Sequence, residues 1–163
     1  MSLLPPPPDR VPLGRDGPLV TPIAWGMWRL AGSREEAAAL VAAALDSGIT
    51  LLDTADIYGF DGSSGFGDAE RLLGEVLAAD SGLRGRMALA TKGGIKPPLP
   101  YDQSPEYLAE AIDASLRRLQ VERIDLYQIH RPDILAHPQE VARTLEDAVS
   151  AGKIGLLGVS NFT

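Results

Sequence analysis

Ile49-Thr50-Leu51-Leu52-Asp53-Thr54-Ala55-Asp56-Ile57-Tyr58-Gly59 is a short apolar run that empties into a carboxylate and a phenol. A parallel strand running out into its loop has this form, and two later runs repeat it. Met87 to Ala90 passes into Thr91-Lys92, and Ile124 to Ile129 passes into His130. Asp, Tyr, Lys and His therefore stand at the ends of three candidate strands. Active sites of parallel α/β folds collect at the carboxyl ends of strands, so the convergence reads first as catalysis.

The segments between these runs have helical period. Ser33 with Glu36 three residues on predicts a capping box opening a helix that carries Leu40, Val41, Ala44 and Leu45 on one face and stops at Gly48. Leu72, Leu73, Val76 and Leu77 repeat that spacing. Ser104-Pro105-Glu106 opens a third helix, with Ser as cap and Pro in the first turn, and Leu108, Ile112, Leu116 and Leu119 form its stripe. A fourth follows Pro138 and carries Val141, Leu145, Ala148 and Val149. Ile23 to Met27 reads as a first buried strand. Before it, Val11–Gly14 and Pro18–Val20 flank Arg15-Asp16-Gly17, where Asp-Gly suits the positive φ of a tight hairpin turn. After the hairpin the order is β-α-β-α-β-α-β-α-β, which demands a parallel sheet. A doubly wound sheet and a (β/α)8 barrel share this grammar. No Gly-x-Gly-x-x-Gly follows the first strand, so the barrel is preferred.

Composition narrows the partners. The 163 residues suffice for one domain, and Lys+Arg 15 against Asp+Glu 22 with no dense basic run argues against nucleic acid or an anionic membrane. A small molecule is the expected partner. There is no cysteine, which excludes thiolate metal sites and a Cys nucleophile and leaves the cytoplasm as the default compartment. Met1-Ser2-Leu3-Leu4 before Pro5 to Pro8 has neither a basic segment nor a sustained apolar one, so residues 1–9 read as a stiff, disordered leader and 10–163 as the domain. The Gly, Ser and Asp-rich stretch Gly59–Gly67 lacks the Gly-Lys-Ser/Thr ending of a phosphate loop and reads as a flexible connection.

An unperturbed phenol, with a pKa of about 10, donates poorly at neutral pH and needs a cationic neighbour. Lys92 could supply the cation, and Asp53 could hold that lysine charged and in place. His130 could donate a hydrogen bond to a substrate carbonyl oxygen. Spacing alone stops at a polar pocket able to protonate a carbonyl, because each residue singly also fits a cap, a surface charge, a half-buried aromatic or a satisfied histidine. A metal reading on His130, Asp133 and His137 with Asp53 is set aside: Pro132 and Pro138 interrupt the segment, and no second histidine ends a strand. His137, before Pro138, suits an exposed position at the start of a helix.

At these residues the chain resembles the aldo-keto reductases. Asp53-Thr54-Ala55-Asp56-Ile57-Tyr58-Gly59 is similar to the family's Asp-x-Ala-x-x-Tyr-Gly motif, with its following Glu and Gly at Glu70 and Gly74. Ala90-Thr91-Lys92 resembles its lysine strand, Ser115 to Leu119 and Ile124 to Asp133 its helix and histidine strand, and Gly152 to Phe162 the strand after that. The resemblance implies a (β/α)8 barrel with an amino-terminal hairpin plug, here its first five strands, and NAD(P)H-dependent reduction of an aldehyde or ketone. It implies Tyr58 as proton donor, Lys92 and Asp53 as its tuning pair and His130 as the carbonyl-orienting residue. It also implies Met27, Asp53, Ser160 and Asn161 at the cofactor and Trp28, Tyr58 and His130 at the substrate. The family leans to NADPH, but the segments that choose it over NADH are not in this sequence. Five strands leave sheet edges through which self-association is expected. The channel-associated relatives offer a second function class, a non-catalytic, nucleotide-sensing barrel.

Overall fold

Thr50 links the hairpin to the sheet. In the computed structural model, which describes residues 9–162, its N–H donates to Thr21 Oγ1 at 3.0 Å, and its own Oγ1 accepts from Thr21 N–H at 3.1 Å and from Arg10 at 3.0 Å. The hairpin is Val11–Pro12 (β1) and Leu19–Val20 (β2), paired antiparallel, with Leu13 N–H donating to Pro18 O at 2.9 Å. The positive φ expected at the Asp-Gly pair falls on Gly14 instead (77°), because the loop from Leu13 to Pro18 is longer than a two-residue turn. Residues 1–8 of the expected leader lie outside the described residues.

Trp25–Gly26 (β3), Leu51–Asp53 (β4), Ala88–Gly93 (β5), Ile124–Ile129 (β6) and Ile154–Val159 (β7) form one parallel sheet in the order β3-β4-β5-β6-β7. The first strand is shorter than expected. Ile23 is exposed, and Met27 has left the ladder although its N–H still donates to Asp53 O at 2.8 Å. Arg34–Asp46 (α1), Asp68–Ala79 (α2), Pro105–Leu119 (α3) and Pro138–Ser150 (α4) connect the strands, and each helix packs against the next. Strand order that follows the chain without reversal is the winding of a barrel, whereas a doubly wound sheet reverses at its switch point. The fold is therefore five consecutive strands of a (β/α)8-type architecture.

Local chemistry sets the helix bounds. Ser33 Oγ accepts the Glu36 N–H while the Glu36 carboxylate accepts the Ser33 N–H, completing the capping box. At the other end Gly48, with φ 90°, donates to Leu45 O and Ile49 N–H reaches Ala44 O, both at 3.0 Å, which is the Schellman closure. The buried line of α1 is Ala37, Val41 and Leu45; Leu40, expected on that face, is 50% exposed beside it. The stripe of α2 buries as expected; in α3 Leu108, Ile112 and Leu119 are buried and Leu116 half-buried against the core, and in α4 Leu145 and Ala148 are buried while Val149 is exposed. Among the described residues no helix is long and apolar enough to cross a membrane.

Candidate active site

After β4 the chain stays close to β5: Thr54 N–H donates to Ala90 O at 2.9 Å and Asp56 N–H to Lys92 O at 3.0 Å. A turn closed by Tyr58 N–H to Ala55 O then brings the phenol to Lys92. The Lys92 side chain is buried, and its Nζ donates to Asp53 Oδ2 at 2.6 Å, to Thr54 O at 2.9 Å and to Tyr58 Oη at 3.1 Å. An ammonium has three protons, so all three have acceptors and its orientation is fixed. Burial of the pair strengthens the attraction between Lys92 and Asp53 relative to water.

His130, at the end of β6, is tied by its N–H to Gly93 O at 2.9 Å. Its ring meets the Tyr58 ring edge to face, centroids 5.6 Å apart and planes at 80°. Burial, then the Lys92 and Arg131 charges, push its pKa down to about 4, so the imidazole is neutral at neutral pH. Nδ1 is buried and has no hydrogen-bond partner among the described residues, which leaves Nε2 as the nitrogen available to a ligand. Ser160 and Asn161 stand beside it. Ser160 N–H donates to Ile129 O at 2.8 Å, and Asn161 Nδ2 donates to His130 O at 3.0 Å and Ser160 Oγ at 2.9 Å.

The structure thus brings together Asp53, Tyr58, Lys92 and His130, with Ser160 and Asn161 alongside. Trp28 is 66% exposed, with the Arg29 guanidinium 5.2 Å from its ring centre. The Met27 side chain belongs to the buried apolar core, and its backbone carbonyl accepts from Leu30 N–H. In Gly59–Gly67 the Asp61 carboxylate accepts the N–H groups of Ser63 and Ser64, so these two donors are turned onto the loop's own carboxylate. Those bonds hold the Asp61 pKa down to about 2.

Sequence reasoning missed two features. Gln128 donates through Nε2 to Asp53 Oδ1 at 3.1 Å, the oxygen that Lys92 leaves free. Its signal was a polar residue inside an apolar strand. Behind Lys92 lies a buried polar layer in which Glu70 accepts from the Thr91 hydroxyl and pairs with Arg118 at 2.7 Å. Asp56 and the Tyr127 hydroxyl are buried nearby.

Known proteins resemble this chain in sequence and in fold. The sequence profile of the Aldo/keto reductase family matches residues 22–163. A 6-dehydroglucose reductase of Novosphingobium aromaticivorans is 70% identical over 100% of this chain, which spans 55% of that protein. A 6-dehydroglucose reductase of Agrobacterium fabrum is 37% identical over 86% of this chain and 50% of its own length. Among solved structures, an aldo-keto reductase from Bacillus halodurans in its holo form matches with a TM-score of 0.82 at 31% identity, over 94% of this chain and 50% of that one. The glycerol dehydrogenase of Gluconobacter oxydans matches at 0.80 and 35%, over 95% and 49%. The chain spans about half the length of these relatives. Profile, sequence and strand winding agree: the chain belongs to the aldo-keto reductase family.

Proposed function

We propose that the protein carrying this chain reduces an aldehyde or ketone to an alcohol with NAD(P)H, Tyr58 acting as general acid. The observation that carries this reading is the three-way hold on Lys92 Nζ, with the Tyr58 hydroxyl at 3.1 Å and Asp53 at 2.6 Å. NADPH is the proposed cofactor and NADH the alternative. The 70%-identical relative, a 6-dehydroglucose reductase, makes 6-dehydroglucose, an aldehyde, the first substrate to try.

The donor set at the end of β7 fits a nicotinamide carboxamide. Both Asn161 amide protons are used inside the protein, which leaves Asn161 Oδ1 to accept, and Ser160 Oγ, already accepting from Asn161, keeps its own proton to donate. When bound, the reduced nicotinamide supplies a hydride to the carbonyl carbon. Tyr58 Oη gives its proton to the carbonyl oxygen, and the phenolate left behind faces the Lys92 ammonium. Asp53 holds that ammonium in place. His130, neutral, donates from Nε2 to the carbonyl oxygen and orients it beside the phenol. The carbon gains hydride, the oxygen gains a proton, and solvent returns a proton to Tyr58.

The test is cofactor oxidation by the full-length protein with 6-dehydroglucose and a panel of aldehydes. Tyr58→Phe keeps the ring and removes the proton, so kcat should fall about 10²- to 10⁴-fold with cofactor affinity retained. A Tyr58→Phe variant with the parent's kcat would refute the assignment. Cofactor binding without turnover in the parent would favour the nucleotide-sensing reading.

A further inference from the structure

We infer that Gln128 is a positioning residue of this site: its side-chain amide anchors the Asp53 carboxylate, and through it the Lys92 ammonium against the Tyr58 hydroxyl. The inference rests on the reductase reading above and adds a fifth side chain to Asp53, Tyr58, Lys92 and His130.

Asp53 has two carboxylate oxygens with different partners. Oδ2 takes the Lys92 ammonium at 2.6 Å and Oδ1 takes the Gln128 amide at 3.1 Å. The terminal torsion of an aspartate is broad, so a carboxylate held at one oxygen only can swing and carry its partner with it. Lys92 Nζ sits where Asp53, Thr54 O and Tyr58 Oη jointly hold it, and a displaced Asp53 shifts that balance away from the phenol. The second anchor removes the freedom. A neutral amide suits the task because it donates without bringing a second cation that would draw Asp53 off Lys92.

The neighbouring strands leave room for the arm that does this. Gln128 is in register with Lys92 on β5 and with Gly158 on β7. Asp53 lies one strand further, in register with Ala90, so the amide reaches diagonally past a small residue. On the other side a Cβ at Gly158 would lie 2.9 Å from Gln128 Cγ, which would have to shift, and 3.1 Å from Leu126 Cδ1, a tight contact. A larger residue there would press on the arm.

Gln128→Met in the full-length protein keeps the length of the side chain and removes the donor. Two measurements decide. In ¹H–¹⁵N spectra of lysine ammonium groups, the hydrogen-bonded Lys92 signal should be protected from exchange in the parent and broadened or lost in the variant. In turnover, kcat should fall about tenfold, the order of one charge-assisted hydrogen bond, with the KM for cofactor and substrate unchanged and the alkaline limb of the pH profile displaced. Gly158→Ala should act in the same direction and serves if Gln128→Met does not fold. A Gln128→Met protein with the parent's Lys92 signal and pH profile overturns the inference. So does one whose only change is a lowered melting temperature, since that is a packing role. A parent without turnover refutes the reductase reading separately, and the ammonium signal still reports on Gln128.

Discussion

Asp56 lies two residues before Tyr58, wholly buried, and among the described residues neither of its carboxylate oxygens has a hydrogen-bond partner. Burial pushes its carboxyl well above the ordinary 3.8, and the charge of Glu70 adds to the rise. The native state therefore keeps a proton that the unfolded chain releases near pH 4. The stability this contributes is complete below the unfolded value and is lost as pH rises through the folded one, so native Asp56 is a burden at neutral pH. Asn has the same shape and no proton to retain. Asp56→Asn should melt higher than the parent at pH 7, with the difference closing towards pH 4. A variant that melts lower at pH 7 would show instead an ionised, partnered carboxylate. Such groups are hard to read from sequence. Asp53, Lys92 and His130 were legible because each ends an apolar run, and Tyr58 because it follows one closely. Nothing local marks the burial of Asp56, and the partner of Gln128 is 75 residues away in the chain.

At the scale of elements, α2 and α3 meet at Gly74, where an added Cβ would lie 2.0 Å from the Arg118 backbone oxygen. The absent side chain lets α2 come close to the last turn of α3, and Glu70, one turn earlier on the same face, thereby reaches Arg118. In an exposed helix, Gly to Ala stabilises by about 1 kcal/mol. Here the sign should reverse, because the collision is with backbone that cannot rotate aside: Gly74→Ala is expected to cost about 2 kcal/mol, measured by urea unfolding. A stabilised Gly74→Ala protein would mean that the helices part without loss. The family motif contained Glu70 and Gly74 but gave neither a role, since the role belongs to contact between two helices. Elements whose signals are local were legible: the Ser33–Glu36 box, the Ser104-Pro105 start and strands on the three runs from Ile49, Met87 and Ile124. Elements decided by packing were not. Leu40 follows the period of α1 yet falls beside the buried line, and β3 keeps only two of its five expected residues in the ladder.

For the whole molecule, the five-stranded sheet has two open edges among the described residues, since β3 pairs only with β4 and β7 only with β6. Beside β7 a groove of about 410 Å³ is lined by Ile129, Val141, Leu145, Leu157, Val159 and Phe162, and the last three are exposed. In a closed barrel every strand has two neighbours and side chains facing the interior are covered; here Leu126 and Gln128 are only half-buried. Unpaired strand edges beside apolar surface template association. Residues 1–163 expressed alone are therefore expected to self-associate, to melt broadly and to bind NADPH weakly. They should turn over little, because hydride transfer needs the cofactor held about 3–3.5 Å from the carbonyl. The net charge of −7 opposes association, so added salt, by screening it, should strengthen the self-association. Fusing the carboxyl-terminal half of the 70%-identical relative should give a cooperative melt, a smaller species by light scattering and a large gain in turnover. A monomeric, cooperatively melting 1–163 that reduces aldehydes at ordinary enzyme rates would show that five strands hold the site unaided.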